Sequence, residues 1–232
     1  MVCLLGVFAK LGGMLLLGPL ALLLALITWQ VVTDGPLVDA DERLSRALVE
    51  PDQASELLSD LGNVQVAVPV LVIALAYAAW HGRARGLDRW WLPPAAGAGA
   101  MVLVPALVAP LKEWTDRPGT PAVPPAAGYY PSGHTATAVV AYGAAALLLL
   151  PLLRSAAVRR ALVVLCALLV LGASYGLVRR GYHWPLDVAA SWCLGAMLLI
   201  GVSLLAGRAG GRVSRSSRRR SAGTPSPRSG PS

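Results

Sequence analysis

Charge is scarce in this sequence. Asp, Glu, Lys and Arg make up 14% of the 232 residues, while 56% are hydrophobic. A soluble domain of this length needs far more charge to cover its surface, so that class is excluded. Cysteine is scarce too: Cys3, Cys166 and Cys193 are an odd number without a CxxC spacing. That argues against a disulfide framework and against a zinc site, and leaves them as small packing residues. There is no internal repeat. No ionisable residue falls near the middle of a long apolar run, which argues against a transporter. The net charge of +8 comes without aromatic interleaving, so it gives little support to a nucleic-acid partner.

What the chain does have is apolar runs. About 20 apolar residues cross the hydrocarbon core as a helix. Six runs fit, roughly 8–29, 64–80, 91–111, 133–153, 161–178 and 186–206, the second short and the fifth broken by Gly172 and Ser174. The first has only Lys10 as a charged flank and no small-x-small cleavage site, so it is expected to stay as an uncleaved first helix. The expectation is an all-α membrane bundle of six spans over residues 1–207, followed by a Ser/Arg/Pro/Gly tail, 208–232, too poor in apolar residues to fold.

Charge is distributed unevenly along this topology. Seven of the twenty basic residues lie from Gly207 onward, and six more lie in the connections "HGRARGLDRW" and "RSAAVRR". The connection "TDGPLVDADERLSRALVEPDQASELLSDLG" is acidic and falls on the other side. The positive-inside rule then makes both termini cytoplasmic, in a multi-pass plasma-membrane protein. The basic tail faces lipid headgroups. Leu44, Leu48, Leu57 and Leu58, set among the charges of 37–60, read as one or two amphipathic helices on the membrane surface. Trp29, Trp114, Tyr129, Tyr130, Tyr182 and Trp184 read mostly as an interfacial belt.

The remaining outer connections hold the chemistry. "YYPSGHTATAVV" places Ser132 as a helix N-cap, Gly133 where backbone can approach a ligand, and His134 in the first turn. A helix N-terminus with free N–H groups binds phosphate, although a capped helix with an incidental histidine accounts for this stretch equally well by itself. In "GYHWPLD", Pro185 suits the first helical position, with His183 just before it and Asp187 in the first turn. That carboxylate can hold one ring nitrogen and leave the other free to attack. An interfacial His-Trp pair beside a dipole-complementing Asp is the bland alternative. Lys112, Arg117, Arg179 and Arg180 fall on the same face. Polar groups gathered there, in a chain that otherwise avoids charge near its helices, mark function.

In order and spacing, these segments resemble the type-2 phosphatidic acid phosphatase superfamily. That group includes lipid phosphate phosphatases, undecaprenyl-pyrophosphate phosphatases, glucose-6-phosphatase and the vanadium haloperoxidases. Its pattern is Lys-x6-Arg-Pro, then Pro-Ser-Gly-His, then Ser-Arg-x5-His-x3-Asp. Here Lys112, Pro131-Ser132-Gly133-His134 and His183-x3-Asp187 match. Gly119-Thr120 stands where the first Arg-Pro belongs, with Arg117-Pro118 two residues early, and Gly176-Leu177 stands where Ser-Arg belongs.

The resemblance implies a phosphatase without metal or other cofactor, acting on a membrane lipid phosphate or pyrophosphate at the extracytoplasmic face. His183 forms a phosphohistidine, Asp187 orients it, and His134 serves the leaving group. Lys112, Arg117, Ser132, Gly133 and Arg179 or Arg180 would hold the phosphoryl oxygens. Two alternatives share these residues: a phosphotransferase, and a catalytically weakened lipid-binding protein. A haloperoxidase fits so hydrophobic a chain poorly.

Overall fold

The computed structural model describes residues 2–126 and 128–210. The side chains of 1–11, including Lys10, and most of the expected tail lie outside the described residues. The described residues form eight α-helices and no strand. These are α1 (Val2–Val32), α2 (Pro36–Leu48), α3 (Gln53–Asp60), α4 (Val64–Ala84), α5 (Leu92–Thr115), α6 (Gly133–Leu149), α7 (Ala156–Arg179) and α8 (Pro185–Gly210). Six of them, α1 and α4 to α8, are long and apolar enough to cross a membrane. The fold is the all-helical, six-span bundle the sequence predicts.

Burial sorts the spans. Two-thirds of α6 is enclosed (67%), against 17–39% of the others, which makes α6 the axis of the bundle. Its sequence explains this: Ala136, Ala138, Ala141, Ala144 and Ala145 are almost wholly buried, and small side chains let neighbouring membrane helices approach closely. The outer spans instead expose Leu15, Leu22, Ile73, Val102 and Leu168, as a lipid-facing surface should.

α7 is continuous through Gly172 and Ser174, where the apolar run is interrupted. The Ser174 hydroxyl donates back to the Val170 carbonyl at 2.8 Å, which satisfies it without opening the helix. The small residues are notches for a neighbour. A Cβ on Gly176 would collide with the Ser59 backbone nitrogen and lie 2.6 Å from the Ser55 carbonyl oxygen. The backbone of α3 therefore lies directly on α7 where the family pattern has its serine.

The acidic connection forms two helices. α2 begins at Pro36 after Gly35. α3 begins with a capping box, in which Ser55 N–H donates to Asp52 at 2.6 Å and Asp52 N–H donates to the Ser55 hydroxyl at 3.0 Å. Their inward faces are small or polar, with Val38, Asp41, Ser45, Ser55 and Ser59 buried. Leu44, Leu48 and Leu57 are exposed, whereas Leu58, expected beside them, is half-buried against Gly172 of α7. Leucines turned outward on helices at a bundle end fit the surface-lying role expected of them.

Candidate active site

Two helix N-termini are joined at this end of the bundle. Ser132 caps α6, its hydroxyl accepting from Thr135 N–H at 3.3 Å. Ser132 N–H donates to the Asp187 carbonyl at 3.2 Å. The Ser191 hydroxyl reaches both the Ser132 and Asp187 carbonyls at 2.8 Å. The first turn of α6, which carries His134, is thereby fastened to the first turn of α8, which follows His183. The two imidazole rings stand 6.4 Å apart, tilted by 58°. His183 is buried, while His134 is exposed.

Asp187 has no exposed surface. Its Oδ2 lies 3.2 Å from His183 Nδ1 and accepts from Trp184 N–H at 3.2 Å. Its Oδ1 accepts from Arg117 Nη1 at 2.6 Å. Nδ1 of His183 is engaged, so Nε2 is the nitrogen left for chemistry. Tyr129 presents its ring to His183, centroids 5.9 Å apart. Tyr130 beside it is fully buried and its hydroxyl meets Thr28 on α1 at 2.7 Å. Burial pushes that phenol up to about 12, so it stays a neutral hydrogen-bonding strut.

A groove of about 780 Å³ leads to the histidines. Val64 and Val68 of α4 and Met101, Pro105 and Val108 of α5 form its apolar walls. Lys112, Tyr129, Gly133, His134 and His183 lie on its lining too. A smaller chamber of about 220 Å³ also touches Tyr129, His134 and His183. Ser59, Asp60, Asn63 and Tyr182 contribute polar groups to its lining beside Val123 and Leu177. Lys112 Nζ donates to the Gly128 carbonyl at 2.6 Å, and Gly128 takes φ +80°, a conformation that lets the loop turn back onto the lysine. Its other N–H groups remain available to a ligand. The groove thus joins an apolar slot to a cation, two imidazoles and a helix N-terminus.

Other expected ligands are placed elsewhere. Ser132 is fully buried and its hydroxyl is used as the α6 cap. Arg117 is buried between two carboxylates, Nη2 meeting Asp41 at 2.7 Å and Nη1 meeting Asp187. Asp116 ends α5 in the left-handed conformation, φ 45°, which turns the chain so that Arg117 enters the bundle rather than the groove. Arg179 pairs with Glu50 at 2.9 Å and Asp52 at 3.2 Å. Arg180 meets Glu56 at 2.6 Å, a charge contact off the direct hydrogen-bond axis. None of the three arginines lines the groove or the chamber. Leu177 lines the chamber instead, in the position where the family pattern has arginine.

The arginines at 179 and 180 therefore hold α3 against α7. Exposed ion pairs of this kind contribute roughly 0–1 kcal/mol each. Arg179→Gln with Arg180→Gln is expected to lower the melting temperature slightly and to change turnover by less than about threefold. Steady-state kinetics with a thermal melt on the same preparation checks this.

The aromatic residues divide as well. Trp29 and Trp114 are exposed, as a belt requires. Tyr130 and Trp184 are buried, Tyr129 faces His183, and the Tyr182 hydroxyl donates to Glu56 at 2.9 Å. These four belong to the site and its supports. Sequence reasoning missed Asp41, Asp60 and Asn63. Only the helical face Val38–Asp41–Ser45 hinted that Asp41 points inward.

Fold and site define a polytopic helical membrane protein with a paired-histidine centre at one end of its bundle, open to an apolar groove. Residues 97–210, from α5 to α8, match the family model described as the PAP2 superfamily, the same superfamily that the motifs resemble. The chain is also similar to the crystal structure of a transmembrane PAP2-type phosphatidylglycerolphosphate phosphatase from Bacillus subtilis. The TM-score is 0.68 at 22% identity, covering 84% of this chain and 98% of that one; the likeness is one of fold. No curated protein matches the chain.

Proposed function

We propose that this protein is a lipid phosphate or lipid pyrophosphate phosphatase working through a phosphohistidine. The carrying observation is that His134 and His183 face one another where the apolar groove meets Lys112. The lipid tail occupies the groove between α4 and α5, and its phosphate lies between the rings. His183 Nε2 attacks phosphorus as the bond to the leaving oxygen breaks, and protonated His134 gives that oxygen its proton. Asp187 steadies the positive charge that grows on His183. Water then attacks phosphorus, His134 takes its proton, the P–N bond breaks, and phosphate leaves with His183 restored.

Lys112 and the backbone amides of Gly133 and His134, which have no acceptor within the helix, hold the phosphoryl oxygens. The six-span domain extends to about residue 207, and the basic tail follows it. The basic connections and tail face the cytoplasm of a plasma-membrane protein, so the site faces outward.

One observation favours a weakened lipid-binding protein: among the described residues, Lys112 is the only Lys or Arg on the lining of groove and chamber. The test is phosphate release by detergent-purified protein from phosphatidate, a prenyl diphosphate and a soluble phosphomonoester, with and without EDTA. Turnover is expected to favour the lipids and to survive EDTA. Lys112→Met should lower it about 100-fold, the usual cost of one preorganised charge donor. Lipid binding without phosphate release would support the rival reading. Added alcohols that capture the phosphoryl group would move the assignment to a transferase.

A further inference from the structure

Asp187 has a neighbour that ought to weaken it. Arg117 lies 2.6 Å from its Oδ1, and a guanidinium in that position cancels the charge on which His183 depends. A second carboxylate restores the balance. Asp41 of α2 lies 2.7 Å from the other Nη of Arg117 and is as enclosed as its partners. Two carboxylates and one guanidinium leave one net negative charge, next to His183.

The geometry does the rest. The guanidinium fork is planar and rigid. With Nη2 fixed by Asp41, Nη1 is aimed at Oδ1 of Asp187, and Oδ2 is left for His183 Nδ1. Asp41 acts on the same spot by a second route: its Oδ1 accepts from Leu186 N–H at 2.8 Å, in the first turn of α8 directly before Asp187. The Arg117 guanidinium also lies over the Trp184 ring, 5.4 Å from its centroid, and the Trp184 indole donates to the Pro118 carbonyl at 3.0 Å. The fork is held on three sides.

We infer that Asp41 is a positioning residue for the phosphatase reaction: through Arg117 it keeps Asp187 both charged toward His183 and turned toward it. The inference rests on the phosphohistidine reading. It also accounts for the arginine that comes two residues early in the family pattern, which here braces the nucleophile and does not hold the phosphate. Burial pushes the Asp41 carboxyl upward, while the Arg117 guanidinium and the Leu186 N–H oppose it.

The experiment compares full-length wild type with Asp41→Asn, Asp41→Glu and Asp41→Ser in detergent. Asparagine keeps an acceptor for Leu186 N–H, and serine is a second neutral variant in case the first is not recovered folded. Phosphate release from phosphatidate micelles gives kcat and KM, and nitrogen-15 NMR of labelled histidine reports which ring nitrogen of His183 carries the proton. The neutral variants should lose about tenfold or more in kcat, with KM within about twofold, and the Nδ1–H form of His183 should give way to a mixture. Glutamate should recover most of both. An unchanged kcat and tautomer would overturn the inference, and so would a fall in kcat that follows melting temperature with the tautomer intact. If wild type itself released no phosphate, the functional reading would fail, and the tautomer comparison alone would decide the role of Asp41.

Discussion

Replacing His183 with alanine should reduce phosphate release by about 10⁴-fold or more, the scale on which loss of a covalent nucleophile is felt. His183 is buried and its Nδ1 is engaged by Asp187, which on the proposed mechanism leaves Nε2 to meet phosphorus. The variant should fold. The ring's polar contact is with a carboxylate that keeps Arg117 and Trp184 N–H as partners, so no buried charge is stranded. Acid quenching during turnover of radiolabelled substrate should trap a phosphohistidine in wild type and none in His183→Ala. His134→Ala should still form the intermediate, slowly, when the leaving group is a good one. An alanine variant that keeps full turnover would remove His183 from the chemistry.

Arg117→Leu should be the most damaging single change to the fold at this end of the bundle. It leaves Asp41 and Asp187 buried with no cation between them, and breaking a buried ion pair from one side costs about 3–5 kcal/mol. Against the ordinary stability of a folded domain, roughly 5–15 kcal/mol, that is a large share. Lysine is a poor substitute, because one ammonium cannot span two carboxylates as the guanidinium fork does. A marked drop in thermal midpoint is expected for Arg117→Leu and a smaller one for Arg117→Lys, with turnover lost in both. Differential scanning fluorimetry on the detergent-purified variants separates this from a direct role in substrate binding. A phosphate clamp would lose activity at unchanged stability.

Much of the architecture was legible because membrane spans announce themselves by length and apolarity. The run predicted at 133–153 is α6 with its short 3₁₀ extension, and the one at 186–206 lies within α8. Lys112, Gly133, His134 and His183 were legible as one group because each sits at the end of a span on the same side, and the groove lining brings them together. What sequence could not give was direction. Arg117, Arg179 and Arg180 carry the right charge at nearly the right spacing, and their side chains turn to carboxylates contributed by α2, α3 and the segment between them, or by Asp187. Gly172 and Ser174 read only as an interruption of an apolar run, because spacing alone does not reveal a docking notch. Asp41 was hidden for the same reason. One aspartate among several in an acidic connection reads as solvated until a partner 76 positions away is placed beside it.

The bond from Ser132 to Asp187 has a consequence for how such a protein drifts. Both histidines are set by one vertex, where the enclosed axial helix meets the head of α8. The spans with the least burial are α1 and α4. Substitutions on the exposed sides of those spans, such as at Leu22 or Ile73, leave the bond from Ser132 to Asp187 untouched. One wall of the groove belongs to α4, so on the proposed reading the shape of lipid admitted can be retuned there while the histidine pair stays in register.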